Sequence, residues 1–582
     1  MRLWAIAFGL GFIGVAVAGW TGPASAAATP TLHTTVTVPS VRVVDSSLDE
    51  PTLKAVLGGD VVGHASELAS LNARRITIPL YDVAYSSSTS DGTTVTGDFV
   101  FHDIRLSSVS KGVANTLSIG SVTVSNSAGG AGTFGKITAE QFDIGGLLSF
   151  YGLVPGDPSG PPRPIFRNLR EAQGSIKSPT GSCDIGDTAM ASLKARPLKM
   201  SFVDFMNLVG EANDEGDNVS PETGAKIVAF LVDATQAIEA SPIVFAGLKC
   251  DGTDKDGKRV LVGVGQVRFG AFANGRYPDI SVDRVRIVEP GQGQMALSRF
   301  LFKGIDFSGA LAALKDAGPS LDQDWLEAHY RELIPAFGGL AFSGFNADIP
   351  DDQNPGQRIQ AAVGSFDLTL GNYVNGVPTD IESNARHIIV AIPPDSSDEF
   401  ASSLLGVGID KLDVGYDFAL RWDEPSQEIW LEKFSVSGAH LASLAVAAVL
   451  GNATRALFAT DTSAAIDAGQ ALTLKNVAID MHDFGLADRV YGEMAKRAGQ
   501  DVKAFRQGLA ALAQGTALVF LGGAADSTEV TQAVGDFING ARTLAIRMTS
   551  KDPAGLSFDD FIAGQDDPTA ALSKVNIEAH AE

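Results

Sequence analysis

The chain is short of cysteine, short of positive charge and without any complete catalytic signature. Two cysteines, Cys183 and Cys250, in 582 residues exclude a small disulfide-dense scaffold and make a poor zinc site. Lys and Arg total 44 against 68 Asp and Glu, a formal net charge of −24. The densest basic runs are pairs, such as Arg74-Arg75 and Lys496-Arg497. A nucleic-acid partner needs a basic stripe to neutralise phosphates, and none is present. The same field opposes anionic lipid headgroups.

Catalytic patterns are missing in the same way. No Gly-x-Ser-x-Gly elbow and no His-Glu-x-x-His occurs, and the histidines, His33, His64, His102, His329, His387, His440, His482 and His580, are widely scattered. The nearest approach to a phosphate loop is "DGTDKDGKRV", Asp251 to Val260, with Gly252 followed by Gly257-Lys258. Arg259 stands where Ser or Thr would hold magnesium, a strand pattern follows in place of a helix, and Asp251, Asp254 and Asp256 repel phosphate. As a calcium loop it fails too, because Gly252 sits at the first ligand position and Gly263 at the closing one. No cofactor or metal is expected, and no catalytic residue can be named.

No stretch beyond the N-terminus reaches the 18 or so uninterrupted apolar residues of a spanning helix. The nearest, Leu509 to Ala525, contains Gln514 and glycines and predicts a buried soluble helix. The mature chain is therefore expected to have no transmembrane span.

What is present begins with a leader. Arg2 precedes the apolar run Leu3 to Ala18, and Ala24-Ser25-Ala26 offers a small-residue cleavage site, so residues 1–26 read as a signal peptide. The protein is expected in the periplasm or outside a Gram-negative cell. Oxidation is the default there, which predicts a disulfide between Cys183 and Cys250. Closing a loop of about 67 residues stabilises by roughly 3 to 4.5 kcal/mol on the chain-entropy account. The sequons at Asn218 and Asn452 need host machinery to matter.

Period-two alternation dominates residues 27–151. "TVTGDFVFHDIRLSSV" places Phe99 and Phe101, then Ile104 and Leu106, at apolar positions, and "NTLSIGSVTVS" places Leu117 and Ile119, then Val122 and Val124. A Pro/Gly-rich stretch, "GLVPGDPSGPPRP", marks a linker over 152–170. Helices are predicted from Ser220, with Pro221 at the first helical position, and from Ser320, with Gln323 completing a capping box.

An internal repeat organises the middle of the chain. "GAFANGRYPDI" from Gly270 matches "GNYVNGVPTDI" from Gly371, so that Asn274-Gly275 and Asn375-Gly376 occupy equivalent turns. Asn-Gly is the strongest short hairpin signal, since both positions take positive φ. Residues 171–290 and 291–395 thus read as two α+β modules, and 396–582 as a C-terminal α+β region. In the latter, strands precede helices at Leu486 to Ala498, Val502 to Leu521 and from Asp526, and "TLAIRMTS" and "KVNIEAH" close the chain. The polar cluster "DMHDFGLADR" reads as structural: His482 and Asp483 face opposite ways on a strand, Asp483 caps the following helix, and Asp488 pairs with Arg489 or another base. The fold class is α+β, β-rich, with antiparallel sheets of repeated hairpins and a C-terminal helical hairpin on a sheet.

The stretches "LGVGIDKLDVGYDFALRWDEPSQEIWLEKFSVSGAHLASLAVAAVLGNA" and "VAIDMHDFGLADRVYGEMAKRAGQDVKAFR" resemble uncharacterised exported proteins of Gram-negative, especially alphaproteobacterial, type. More distantly they are similar to YdgA-like and AsmA-like envelope proteins. The resemblance covers mainly residues 250 to 582 and implies long antiparallel β assemblies without catalytic residues. Export, repeated hairpins and 45% hydrophobic residues favour a non-enzymatic envelope protein whose sheet surface binds a lipid-like apolar ligand or an envelope partner. A structural or adhesive scaffold is the second class, and a hydrolase with a dispersed active site the third.

Overall fold

The computed structural model describes residues 31–88, 94–215, 220–317, 323–351, 356–394, 398–521, 527–560 and 572–582. The expected signal peptide, Asn218, Ser320 and Asp526 lie outside the described residues. The chain forms two compact units, Met1–Gly291 with Asp306–Leu326, and Gln292–Ile305 with Glu327–Glu582. Both are built on antiparallel ladders with helices added, so the fold is α+β and β-rich as the alternation predicts.

The first unit is a meander of long strands with a shared interruption. Val113–Ile119 and Ser121–Asn126 are one strand broken at Gly120, and Gly181–Ile185 and Thr188–Ala195 are one strand broken before Asp187. The breaks line up across neighbours: the Gly120 amide donates to His102 O at 2.8 Å, Gly135 to Gln173 O at 3.0 Å, Gly186 to Gly247 O at 2.8 Å and Gly265 to Asp283 O at 2.8 Å. A Cβ on Gly186 would meet the Ala246 backbone at 2.7 Å, so the strands can close up only around glycine there. Each break inserts one residue and so reverses the alternation. Phe101 and Ile104, Ile119 and Val122, Phe134 and Ile137 consequently face the same core despite their odd spacing.

That core is closed by helices that the alternation did not announce. Glu50–Gly58, Ala65–Ala69 and Ile144–Phe150 press Leu53, Val56, Leu68 and Leu148 onto Ile76, Ile78, Leu117 and Ile119. Each such leucine contributes roughly 2 to 3 kcal/mol by leaving water. The Pro/Gly-rich connection is shorter than the expected 152–170 linker, because a strand resumes at Arg163 and Pro164 sits opposite Lys194 in the ladder. The helix from Ser220 forms as Pro221–Ala237, capped by the Ser220 hydroxyl, which accepts from Thr223 N at 3.2 Å. Phe230 of its apolar side is buried, whereas Leu231 is exposed. Cys183 and Cys250 stand directly opposite each other on adjacent strands and are disulfide-bonded.

The second unit is a ten-stranded meander in which each strand pairs with the next: β1 (Gly293–Phe302), β2 (Gly339–Pro350), β3 (Arg358–Val374), β4 (Val377–Ala391), β5 (Lys411–Asp423), β6 (Glu428–Gly438), β7 (Ala442–Gly451), β8 (Thr473–Asp483), β9 (Thr543–Ser550) and β10 (Val575–Ala581). Helices α1 (Glu399–Gly406), α2 (Thr462–Gln470), α3 (Leu486–Ala498), α4 (Val502–Leu521) and α5 (Ser527–Asn539) fill its connections. Asp483 starts α3 by accepting from Gly485 N and Ala487 N at 3.1 and 3.0 Å, and Gly499 at φ 63° ends it. Asp501 caps α4 through Lys503 N at 3.0 Å. α5 lies on β9 and β10 with Val530 and Ala533 against Leu544 and Ala579.

The expectation of a buried helix over Leu509 to Ala525 is corrected here. The helix exists as α4, but Leu512, Leu518 and Val519 are 67%, 51% and 80% exposed. α4 packs through one side on α5, so its opposite side has no layer left to cover it.

Two outcomes check this description. Converting both Cys183 and Cys250 to alanine should lower unfolding free energy by roughly 3 to 4.5 kcal/mol, read as a reduced denaturant midpoint under non-reducing conditions. Leu512→Gln and Val519→Gln should each change stability by no more than about 0.5 kcal/mol, as exposed positions do; a drop of several kcal/mol would show that α4 is covered.

Candidate functional site

The register of the second unit assembles one face of its sheet from apolar residues alone, with three hydroxyl or indole exceptions. One row across the strands reads Phe300, Phe342, Phe366, Ala385, Tyr416, Val436, Leu444, Met481, Leu544. The next reads Phe302, Leu340, Leu368, Ser383, Phe418, Phe434, Val446, Ile479, Ile546. A third runs Leu370, Ile381, Leu420, Leu431, Ala448, Val477, Met548, and a fourth Trp422, Ile429, Leu450, Leu474. Period-two alternation puts all of them on one side of the pleat. Bulges in β6 and β8 keep the rows aligned past Lys433 and Lys475.

The exceptions are satisfied within the protein. Ser383 Oγ and Tyr416 Oη bond each other at 2.9 Å, and Trp422 Nε1 donates to Ala453 O at 2.7 Å. The face therefore offers an incoming molecule mainly hydrocarbon contact, its few polar atoms being engaged within the protein.

Its cover is uneven. α5 lies over the β9 and β10 flank. At the fourth row the face ends against a buried cluster, where Trp422 meets Phe458 edge-on at 4.7 Å beside Ala453, Leu457 and Leu472. This corner is tied down by side chains on backbone carbonyls: Asn375 Nδ2 donates to Phe458 O at 2.8 Å and Arg331 Nη1 to Ala459 O at 2.5 Å. On β6 and β8 exposure rises toward the first row, with Phe434 at 39%, Val436 at 44% and Met481 at 36%, whereas Ala385 and Leu544 of that row are buried.

The reverse face is ionic. Asp480 pairs with Arg547 and Asp367 with Lys303, each at 2.7 Å. Asp417 accepts from Arg386, Lys433 and Ser435. Burial pushes the Asp417 carboxyl up, but these donors outweigh it and hold the pKa down at about 2. At the first-row end, Asp483 and Asp488 share Arg542 at 2.5 and 2.7 Å, and Asp488 also takes Arg506 at 2.6 Å, which lies 5.1 Å over the Tyr491 ring. The network joins β8, α3, α4 and the start of β9. Asp483 thus caps α3 as the sequence suggests, while Asp488 pairs with Arg542 and Arg506 in place of Arg489.

The other positions singled out in the sequence fall elsewhere. Asn274 and Gly275 take φ 53° and 74°, and Asn375 and Gly376 take 47° and 74°. The second pair joins β3 to β4 and anchors the closed corner, a role its turn signal did not disclose. The "DGTDKDGKRV" loop is a turn in which Asp254 accepts from Asp256 N and Lys258 N at 2.9 Å and Arg259 pairs with Asp251. A strand follows from Arg259. His64, His102, His387, His482 and His580 lie on separate elements, and among the described residues no three His, Cys, Asp or Glu are placed to hold a metal ion. His482 stacks on Phe484 at 4.2 Å. Among the described residues no helix is long and apolar enough to cross a membrane.

The face itself was missed as a unit, although its components were visible. "LDVGYDFALRW" shows Val414, Tyr416, Phe418, Leu420 and Trp422 in alternation, yet alternation in one strand does not say which residues of the next strand stand beside them.

A family model described as "Uncharacterized protein" matches residues 435–582. The matched stretch runs from within β6 to the end of β10 and includes α3, α4 and α5. No curated protein matches the chain.

The Asp417 cluster gives a pH prediction. Its folded pKa, about 2, lies below the ordinary 3.8, so its stabilisation is complete above the ordinary value and is lost as pH falls toward 2. The stability gap between the wild type and Asp417→Asn, read from urea midpoints, should shrink steadily across that window. A gap that stays constant would show that the ion pairs contribute nothing.

Proposed function

We propose that the protein is a non-enzymatic envelope protein, exported to the periplasm, that holds a lipid-like apolar ligand against the open part of this sheet face. One observation carries the reading: in the four rows only Ser383, Tyr416 and Trp422 carry polar side-chain atoms, each bonded within the protein, and the rows are partly exposed at Phe434, Val436 and Met481. A peptide segment lying flat there would bury its own N–H and C=O groups without partners, at about 1 to 3 kcal/mol each. A hydrocarbon chain carries no such cost. The long one-sided meander also fits the distant likeness to YdgA-like and AsmA-like envelope proteins, and the Cys183–Cys250 disulfide fits an oxidising compartment.

The test is native mass spectrometry of the purified full chain, combined with displacement of a hydrophobic fluorescent probe by fatty acid. Bound lipid in the native spectrum and competitive displacement are expected. Val436→Asp with Met481→Gln should weaken displacement about tenfold or more, equivalent to about 1.4 kcal/mol, with the unfolding midpoint little changed because both positions are already partly in water. Absence of both bound lipid and probe binding would overturn the reading.

A further inference from the structure

We infer that the Trp422–Phe458 corner sets the length of the acyl chain that the face accepts. The inference rests on the proposed lipid reading and adds a dimension to it. Along β5, Tyr416, Phe418, Leu420 and Trp422 mark successive rows of the same face. Six residues of antiparallel strand separate the first from the last, a run of about 20 Å at ~3.4 Å per residue. The run is open at one end, where Val436 and Met481 are 44% and 36% exposed, and shut at the other, where Trp422 and Phe458 are 8% and 9% exposed.

The shut end is built to resist displacement. Trp422 is held through its indole N–H by Ala453 O, Phe458 is wedged against it, and Asn375 and Arg331 bond the carbonyls of Phe458 and of the next residue, Ala459. A flexible apolar side chain at this place would yield to a longer ligand, whereas two interlocked rings with bonded backbones do not. An extended acyl chain advances roughly 1.25 Å per carbon given its ~1.5 Å bonds, so about 16 carbons span the run. The methyl end lies against Trp422 and the polar head emerges past Val436 and Met481, where water is available.

The experiment incubates the full chain with an equimolar mixture of saturated fatty acids of about 10 to about 22 carbons, chosen to bracket the ~20 Å run, and identifies the bound species by mass spectrometry. Wild type should retain chains up to a cut-off near about 16 carbons and discriminate at least about fivefold against those longer by about four. Phe458→Ala removes the wedge and should move the cut-off up by about three or four carbons. Leu431→Trp places a ring one row, about 7 Å, nearer the open end and should move it down by about five carbons; this variant leaves the closed corner intact, so the test survives if Phe458→Ala fails to fold. Retention without length discrimination, or a cut-off unmoved by a folded Leu431→Trp, overturns the length limit while the lipid reading stands. Failure of wild type to retain any chain overturns both.

Discussion

The antiparallel ladder of the second unit leaves the side chains, and not the backbone, to decide what each surface does. From β1 to β10 each strand is hydrogen-bonded to the next, so the backbone is spent on the ladder. The pleat then separates side chains into two populations. One side is mainly Phe, Leu, Ile, Val and Met, and the other carries the ion pairs of Asp367, Asp417 and Asp480.

A sheet this long with one apolar face must cover that face or leave it open. The first unit covers much of its own with short helices, which produces the largest core of the molecule. The second unit covers only the flanks, by α5 over β9 and β10 and by the Phe458 corner over the fourth row. The remainder is only half-buried, and its polar exceptions are bonded to protein partners. These two properties together, exposure and the scarcity of polar side chains, distinguish the area from an ordinary polar surface, and they are the grounds on which we propose an apolar ligand in preference to a peptide. The exposed side of α4 lacks such definition, because nothing bounds it.

The alternation of Phe99 and Phe101 with Ile104 and Leu106, and of Leu117 and Ile119 with Val122 and Val124, already contained the first unit's crease as a change of parity. It was legible as strands but not as a bend, since a parity change reads equally well as a turn until the neighbouring strand shows the same break. The α3 boundaries, the Asp483 cap, the Asn-Gly turns and the closing strands were legible because each depends on residues within one turn or hairpin. The apolar run from Leu509 announces the helix but not the exposure of Leu512, Leu518 and Val519. Composition reports how apolar a helix is, and not whether another element reaches it.

The sequence by itself determined the antiparallel α+β class, the turn positions, the helix limits in the C-terminal region and the absence of any local catalytic signature, all of which follow from the spacing of near neighbours. It also supplied the only two cysteines that could form a disulfide. Tertiary structure alone decided that Trp422, Phe458 and Asn375 meet at one corner, that Phe434, Val446 and Ile479 lie side by side, and that Asp488 binds Arg542 and Arg506. These contacts join residues distant in the chain, and for the strand residues Phe434, Val446, Ile479 and Trp422 a register shift of one residue would have sent the side chains to the opposite face.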